Sequence, residues 1–354
     1  MAGLSTSSST FDFHGLFSVQ VKHRNLEALM REELGVFARE LNAVDLTVIE
    51  GAVAPLDRML SIHYSFDGVA LVVQTPSGRV RLDDRVLVAE PTFPAHLLLA
   101  HWVENLMRQR IVPRGAALVH ASAVERNGEG YLLPAWAHTG KTNVALSFLS
   151  EGWSYMADDW CFVSETGRIL GYPRWLNLFD YNFDSHGSLM SALDRGNLAA
   201  LRRRIAVTKF AKSLTQSTGI ARTLRRWLMD RYFVHARVPA SVVVPGCRTT
   251  LRAPITKVCL LSTSRSAPIG VSELAADEMA RRIVLCGQFE RSTFGMHQLA
   301  FAYCGARNPQ IDLAPRERDV LFQAFRDAKC LEVTLPPAPS AAELERVRLA
   351  IESG

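Results

Sequence analysis

Several things are missing from this chain, and each absence narrows what it can be. No apolar run is long enough to span a bilayer. No basic stretch leads into an apolar segment at the start, MAGLSTSSSTF, so it reads as a frayed tail over 1–10 with no secretory signal, and a cytoplasmic protein is expected. The six cysteines (161, 247, 259, 286, 304 and 330) include no C-x-x-C pair. They read as small buried apolar residues in a reducing compartment, which argues against a disulfide frame or a zinc site. No internal repeat appears, and no low-complexity tract beyond the serine-rich start. No nucleic-acid-binding motif appears, and no basic stripe interleaved with aromatics, so nucleic acid is not expected as a partner.

What is present suits a globular enzyme. The apolar fraction, 48%, is ordinary, and 354 residues exceed a single typical core. The net charge of +5 is partly local. Residues 202–237 hold Arg202, Arg203, Arg204, Lys209, Lys212, Arg222, Arg225, Arg226, Arg231 and Arg237 against Asp230 alone. Apolar spacing there predicts two amphipathic helices, whose basic face is either simply solvated or receives an acidic peptide or protein acceptor. Nothing in the composition requires or excludes a homo-oligomer.

Three stretches follow from the pattern. Residues 11–114 read as an N-terminal α+β unit. Asn25 is expected to cap a helix from Leu26 to Leu41; strands are expected near 44–49, 58–65, 69–75 and 79–83, and a second helix over 95–111. His101 and Trp102 on that helix read as packing residues. Residues 115–354 read as a second domain, with a helical insertion at 182–250. Its later part predicts a strand over 255–262, a helix over 272–285 and a last helix over 341–351.

The chemistry concentrates in 117–161. A strand over 117–124, an Asn127-Gly128 turn and a strand over 130–134 predict a hairpin. A loop then ends in Gly140-Lys141-Thr142 at a helix start. Such a loop cradles phosphate: backbone N–H groups and the positive helix end attract the anion, lysine adds a charge, and the threonine hydroxyl can ligate Mg²⁺. The G-x-x-x-x-G-K-[ST] pattern is incomplete. Ala135 stands at the first glycine, followed by Trp136, Ala137, His138 and Thr139. Without glycine at 135 and 138, the backbone is expected to avoid positive φ there or to strain. His138 is near enough to a bound phosphate to donate a hydrogen bond. Lys141 is expected on an exposed helix start.

One helix and one strand later, Asp158-Asp159 interrupts an apolar run. Paired acids in such a setting need a cation or a hydrogen-bond network. They stand where a metal ligand or general base must sit to act on the same phosphate. As a lone histidine among Ala117, Leu118, Val119 and Ala121, His120 reads as a packed core residue.

The order His-Ala-Ser-Ala-Val, hairpin, phosphate loop, helix, Gly-Trp, strand, Asp-Asp resembles the HPr kinase/phosphorylase catalytic domain. More closely it is similar to the shorter HPr-kinase-related proteins encoded beside peptide-modifying enzymes. The likeness is strongest over 115–180 and weaker over 250–350. It implies an α/β fold with a mixed-sheet P-loop domain like that of phosphoenolpyruvate carboxykinase, and an ATP-dependent kinase using Mg²⁺. It implies that residues 135–142 and Arg174 bind nucleotide and that His120 points toward the transferred phosphate. Asp158 and Asp159 would supply the general base and a metal contact in an order left open, with Thr142 and Asp159 the first choice for the metal. The acceptor would be a hydroxyl, such as a serine of a peptide or small protein. A nucleotide-binding scaffold without activity, a small-molecule kinase and a nucleotide hydrolase on the same fold stay open. The chain lacks the second glycine-rich signature of true HPr kinase/phosphorylases, so HPr itself and the reverse reaction are not implied.

Overall fold

The computed structural model describes residues 8–304 and 313–354, apart from 58, 62, 180–181, 183–205 and 208–234. The protein is mixed α/β, with large sheets that combine parallel and antiparallel pairs. It divides into two compact units, interleaved along the chain in place of one cut near residue 114. Interleaving arises because late helices complete the first unit's core and late strands extend the second unit's sheet.

The first unit comprises Met1–His120, Phe162–Leu170 and Ala275–Ala328. Its eight-stranded sheet runs Ser9–Phe13, Phe17–Lys22, Leu46–Glu50, Val86–Ala89, Gly78–Leu82, Leu71–Thr75, Tyr64–Phe66 and Met59–Ser61. Strict alternation in the first two strands buries Phe11, Phe13, Phe17, Val19 and Val21 on one face. The first helix is shorter than its spacing predicts. It spans Arg24–Leu34, buries Leu26, Met30 and Leu34, and passes into a 3-10 turn at Gly35–Phe37. His23, and not Asn25, caps it: the ring accepts from Leu26 N, while Asn25 donates to the Pro91 carbonyl 3.4 Å away. The second helix is continuous from Ala95 to Ile111, with a π-helical stretch at Leu98–Val103. Trp102 packs inside, stacked on His297 with ring centroids 5.1 Å apart.

The second unit comprises Ala121–Cys161, Gly171–Leu274 and Lys329–Gly354. The expected strand over 117–124 is broken at His120 into Ala116–Val119 and Ala121–Arg126. Ala121–Arg126 and Glu129–Pro134 form the hairpin, in register from Ala121↔Pro134 to Arg126↔Glu129. Asn127 and Gly128 both take positive φ (56° and 84°), the demand of a type I′ turn that asparagine and glycine meet most easily. Ser154–Ala157 pairs antiparallel with Ala121–Arg126. On its other side Glu129–Pro134 runs parallel to Arg252–Thr263, which runs parallel to Lys329–Leu335. The expected helix over 272–285 begins later, at Ala276, and extends to Glu290. Gly270–Glu273 instead pairs with Lys329–Leu335, because joining a sheet satisfies its backbone groups.

Two helices cover this sheet. Lys141–Leu149 is apolar nearly all round and every one of its residues is buried. Ala341–Ser353 starts in a reciprocal capping box between Ser340 and Glu343. Both contribute to one core with Tyr131, Trp153, Cys259, Leu261 and Val333. Phe148, Tyr131 and Trp153 pack as an aromatic trio, with centroids 4.6–5.9 Å apart. Residues 183–205 and 208–234 of the helical insertion expected at 182–250 lie outside the described residues. Where description resumes, His235–Val238 is a strand paired with Leu176–Phe179. None of the six cysteines forms a disulfide. Among the described residues no helix is long and apolar enough to cross a membrane.

Candidate phosphate-loop site

The loop grows directly out of the sheet. Ala135 is buried and bridges to Leu261 in parallel fashion, so it prolongs the strand. The missing first glycine therefore falls where extended backbone needs none. The irregular backbone starts at Trp136, whose carbonyl accepts from Thr139 N at 3.2 Å. His138 takes φ 63°, so this left-handed position is occupied without glycine. That conformation costs a non-glycine residue on the order of 1–2 kcal/mol, and histidine is among the residues that tolerate it best. The His138 ring lies edge-on to Phe179, centroids 5.4 Å apart. Gly140 follows at φ 101° as the residue before the helix.

The helix start is buried, not exposed. Lys141 and Thr142 are each 8% accessible. A lysine at a helix N-terminus is repelled by the helix dipole. Here Asp159 offsets that, with Lys141 Nζ 2.6 Å from its Oδ1. The other carboxylate oxygen of Asp159 accepts from Asn177 Nδ2. Asp159 has φ 67°, so the chain reverses sharply between the two acids and turns them to different partners.

Asp158 is fully enclosed and receives two hydroxyls. Thr142 Oγ1 lies 3.2 and 3.1 Å from its two oxygens, and Ser122 donates to Oδ1. Burial raises the Asp158 pKa, and the neighbouring Asp159 charge raises it further; Lys141 and the two hydroxyls act the other way. The hydroxyls of Thr142 and Ser122 give Asp158 oxygen neighbours, the donor type that a hard divalent cation such as Mg²⁺ takes.

Arg174 is buried in the same unit, and its carbonyl accepts from Tyr155 Oη at 2.6 Å. The Tyr155 pKa is pushed far up, first by burial and then by Asp158 and Asp159, with Arg174 opposing. One phenol thus feels both acids and the arginine.

The structure brings Lys141, Thr142, Asp158 and Asp159 together. It pairs Thr142 with Asp158, where the sequence reading put Thr142 and Asp159 first as metal ligands. His120 belongs to the other unit, and its Nδ1 lies 3.9 Å from Cys286 Sγ. Three contributors escape sequence reasoning. Ser122 stands in the His-Ala-Ser-Ala-Val pattern without marking itself as an acid partner, and Asn177 is the one polar residue of the strand Leu176–Phe179. Asn182 joins the start of the helix to the strand Leu176–Phe179: its amide donates to Asn143 Oδ1 at 2.7 Å and its Oδ1 accepts from Phe179 N at 2.6 Å.

No protein-family model matches this chain, and no curated protein matches it significantly.

Proposed function

We propose that this chain is an Mg²⁺-dependent phosphotransferase of the HPr-kinase-related type, moving the terminal phosphoryl of ATP to a hydroxyl. The observation that carries the reading is the double pairing at the helix start. Thr142 and Ser122 converge on Asp158 while Lys141 reaches Asp159.

Each residue has a distinct task in this reading. Backbone N–H groups from Gly140 onward and the helix end hold the triphosphate, and Lys141 adds charge. Thr142 and Asp158 would hold Mg²⁺, which when bound neutralises charge on the phosphates. A phosphate oxygen competes with Asp159 for Lys141. Once that ion pair opens, Asp159 is left to accept the proton of the attacking hydroxyl, and Asn177 keeps it oriented. Arg174 supplies a further cation in the same unit. Most of the rate gain then comes from positioning and charge neutralisation. An acidic peptide or small protein is the acceptor class, engaged by the basic segment 202–237.

The test uses γ-labelled ATP and Mg²⁺ with the full chain, with and without serine-containing acidic peptides. Label should reach the peptide, and Asp158→Asn should abolish transfer. Absence of any Mg²⁺-dependent nucleotide binding by the folded protein would overturn the assignment. Label released only as inorganic phosphate under all acceptor conditions would move it to a hydrolase.

A further inference from the structure

A second group of reactive side chains lies in the first unit. His120, Cys286 and Glu290 each place a ligand atom within 4.8 Å of the others. Cys286 and Glu290 are four residues apart on the helix Ala276–Glu290, so they share one face on successive turns. His120 comes from the end of the strand Ala116–Val119, and its Nδ1 is 3.9 Å from Cys286 Sγ. His120 and Cys286 are buried.

We propose that His120, Cys286 and Glu290 form a binding site for a divalent transition cation of the zinc type. This site does not depend on the phosphotransfer reading. Three observations carry it. The first is spacing: tetrahedral zinc with nitrogen at ~2.0 Å and sulfur at ~2.3 Å sets those two ligands ~3.5 Å apart. The observed nitrogen–sulfur separation needs only a few tenths of an ångström of closure. The second is an unmet carboxylate: Glu290 Oε1 is buried and has no hydrogen-bond partner. A buried carboxylate oxygen in that state is costly unless a cation takes it. The third is donor chemistry. Imidazole, thiolate and carboxylate form a mixed nitrogen, sulfur and oxygen set that suits Zn²⁺ and does not suit Mg²⁺. Arg291, next along the chain, acts electrostatically on both Cys286 and Glu290, while its guanidinium donates to the Leu118 carbonyl at 3.1 Å and lies 3.4 Å from Glu317.

Binding requires the thiolate, so the Cys286 S–H bond breaks, a sulfur–metal bond forms, and one proton leaves to solvent. The thiolate and carboxylate then balance the two positive charges of the ion, with His120 neutral. Three protein ligands leave a fourth position for water or an exogenous ligand, the arrangement of a zinc site that is not closed. The ion ties the end of a strand to a helix that begins more than 150 residues later.

The experiment uses the full chain, stripped with a chelator and titrated with Co²⁺ as a spectroscopic stand-in. Wild type should develop a thiolate-to-cobalt charge-transfer band in the near ultraviolet, saturating at a single ion per chain. Zn²⁺ should displace it, and millimolar Mg²⁺ should not. Cys286→Ser should remove the band, and Glu290→Gln should weaken Co²⁺ binding at least about tenfold. Cys247→Ser should leave the band intact. Zn²⁺ should raise the melting temperature of wild type and leave that of Glu290→Gln unchanged. Lack of a charge-transfer band in the wild type overturns the site. So does a band of full strength and affinity in folded Glu290→Gln, a readout that stands even if Cys286→Ser fails to fold.

Discussion

Thr142 and Asp158 meet in the second unit, the hydroxyl lying 3.1 and 3.2 Å from the two carboxylate oxygens. One residue lies in the first turn of a helix and the other follows the next strand, so the contact fixes the start of the helix against the end of the strand Ser154–Ala157. Asp158 is buried, and its acceptors depend on Thr142 and Ser122 for donors.

Thr142→Val keeps the side-chain shape and deletes the hydroxyl. It leaves a buried acceptor short of a donor, so stability should fall by about 1–3 kcal/mol. Urea unfolding measures that loss. In the phosphotransferase reading the same variant should also need at least about tenfold more Mg²⁺ for half-maximal nucleotide binding. A stability loss with an unchanged Mg²⁺ requirement would make the contact purely structural.

Lys141→Met should separate charge from packing. It deprives Asp159, whose side chain is 29% accessible, of its lysine partner. The expected cost is about 1–3 kcal/mol, below the range for a wholly buried broken pair because solvent reaches the carboxylate. Adding Asp159→Asn should restore most of it, which a double-mutant cycle in urea reads directly. Triphosphate binding should stay lost in the double variant.

Gly171 has no room for a side chain. A Cβ there would lie 2.8 Å from the Thr250 carbonyl oxygen, 3.0 Å from that of Met156 and 3.2 Å from Leu251 Cα. All three are backbone and belong to neighbouring segments that cannot swing aside. Gly171→Ala should therefore cost about 1–3 kcal/mol. Thermal unfolding with an unaltered midpoint would show that these segments yield.

His297 gives the first unit a pH dependence. Burial beside Trp102 and Tyr64, with His101 near, lowers its pKa from 6.5 to about 4. The folded pKa lies below the unfolded one, so the unfolded chain binds the extra proton first. This contribution to stability is whole above pH 6.5 and is lost as pH falls toward 4. His297→Phe keeps a ring on Trp102 and removes the titration. The melting temperature of the variant should fall less steeply across that window, and parallel curves would assign the acid loss to other groups.

Local pattern was legible wherever one physical rule dominated. Asn127-Gly128 dictated the hairpin, because those residues reach positive φ at low cost. Gly140-Lys141-Thr142 announced the helix start, and the capped last helix appeared at its expected place. Leu26, Met30 and Leu34 marked a buried face correctly, but competition between Gly35 and continued helix ended the first helix early. The strand Gly270–Glu273 hid inside a helical spacing, since a sheet edge far along the chain supplied its hydrogen bonds.

The sequence by itself determined that two acids, a lysine and a threonine stand at the ends of neighbouring elements, because hairpin, helix and strand are short-range products of pattern and turn chemistry. Only the tertiary structure decided who pairs with whom. Asp158 and Asp159 are adjacent in the chain, yet the positive φ at Asp159 sends one to Thr142 and Ser122 and the other to Lys141 and Asn177. Burial of Lys141 was likewise undecidable locally, since solvent exclusion depends on what the rest of the chain lays over the helix start. His120 and Cys286, 166 positions apart, came together for the same reason. Contacts between distant single residues leave no periodic trace in a sequence, and the packing of whole elements alone creates them.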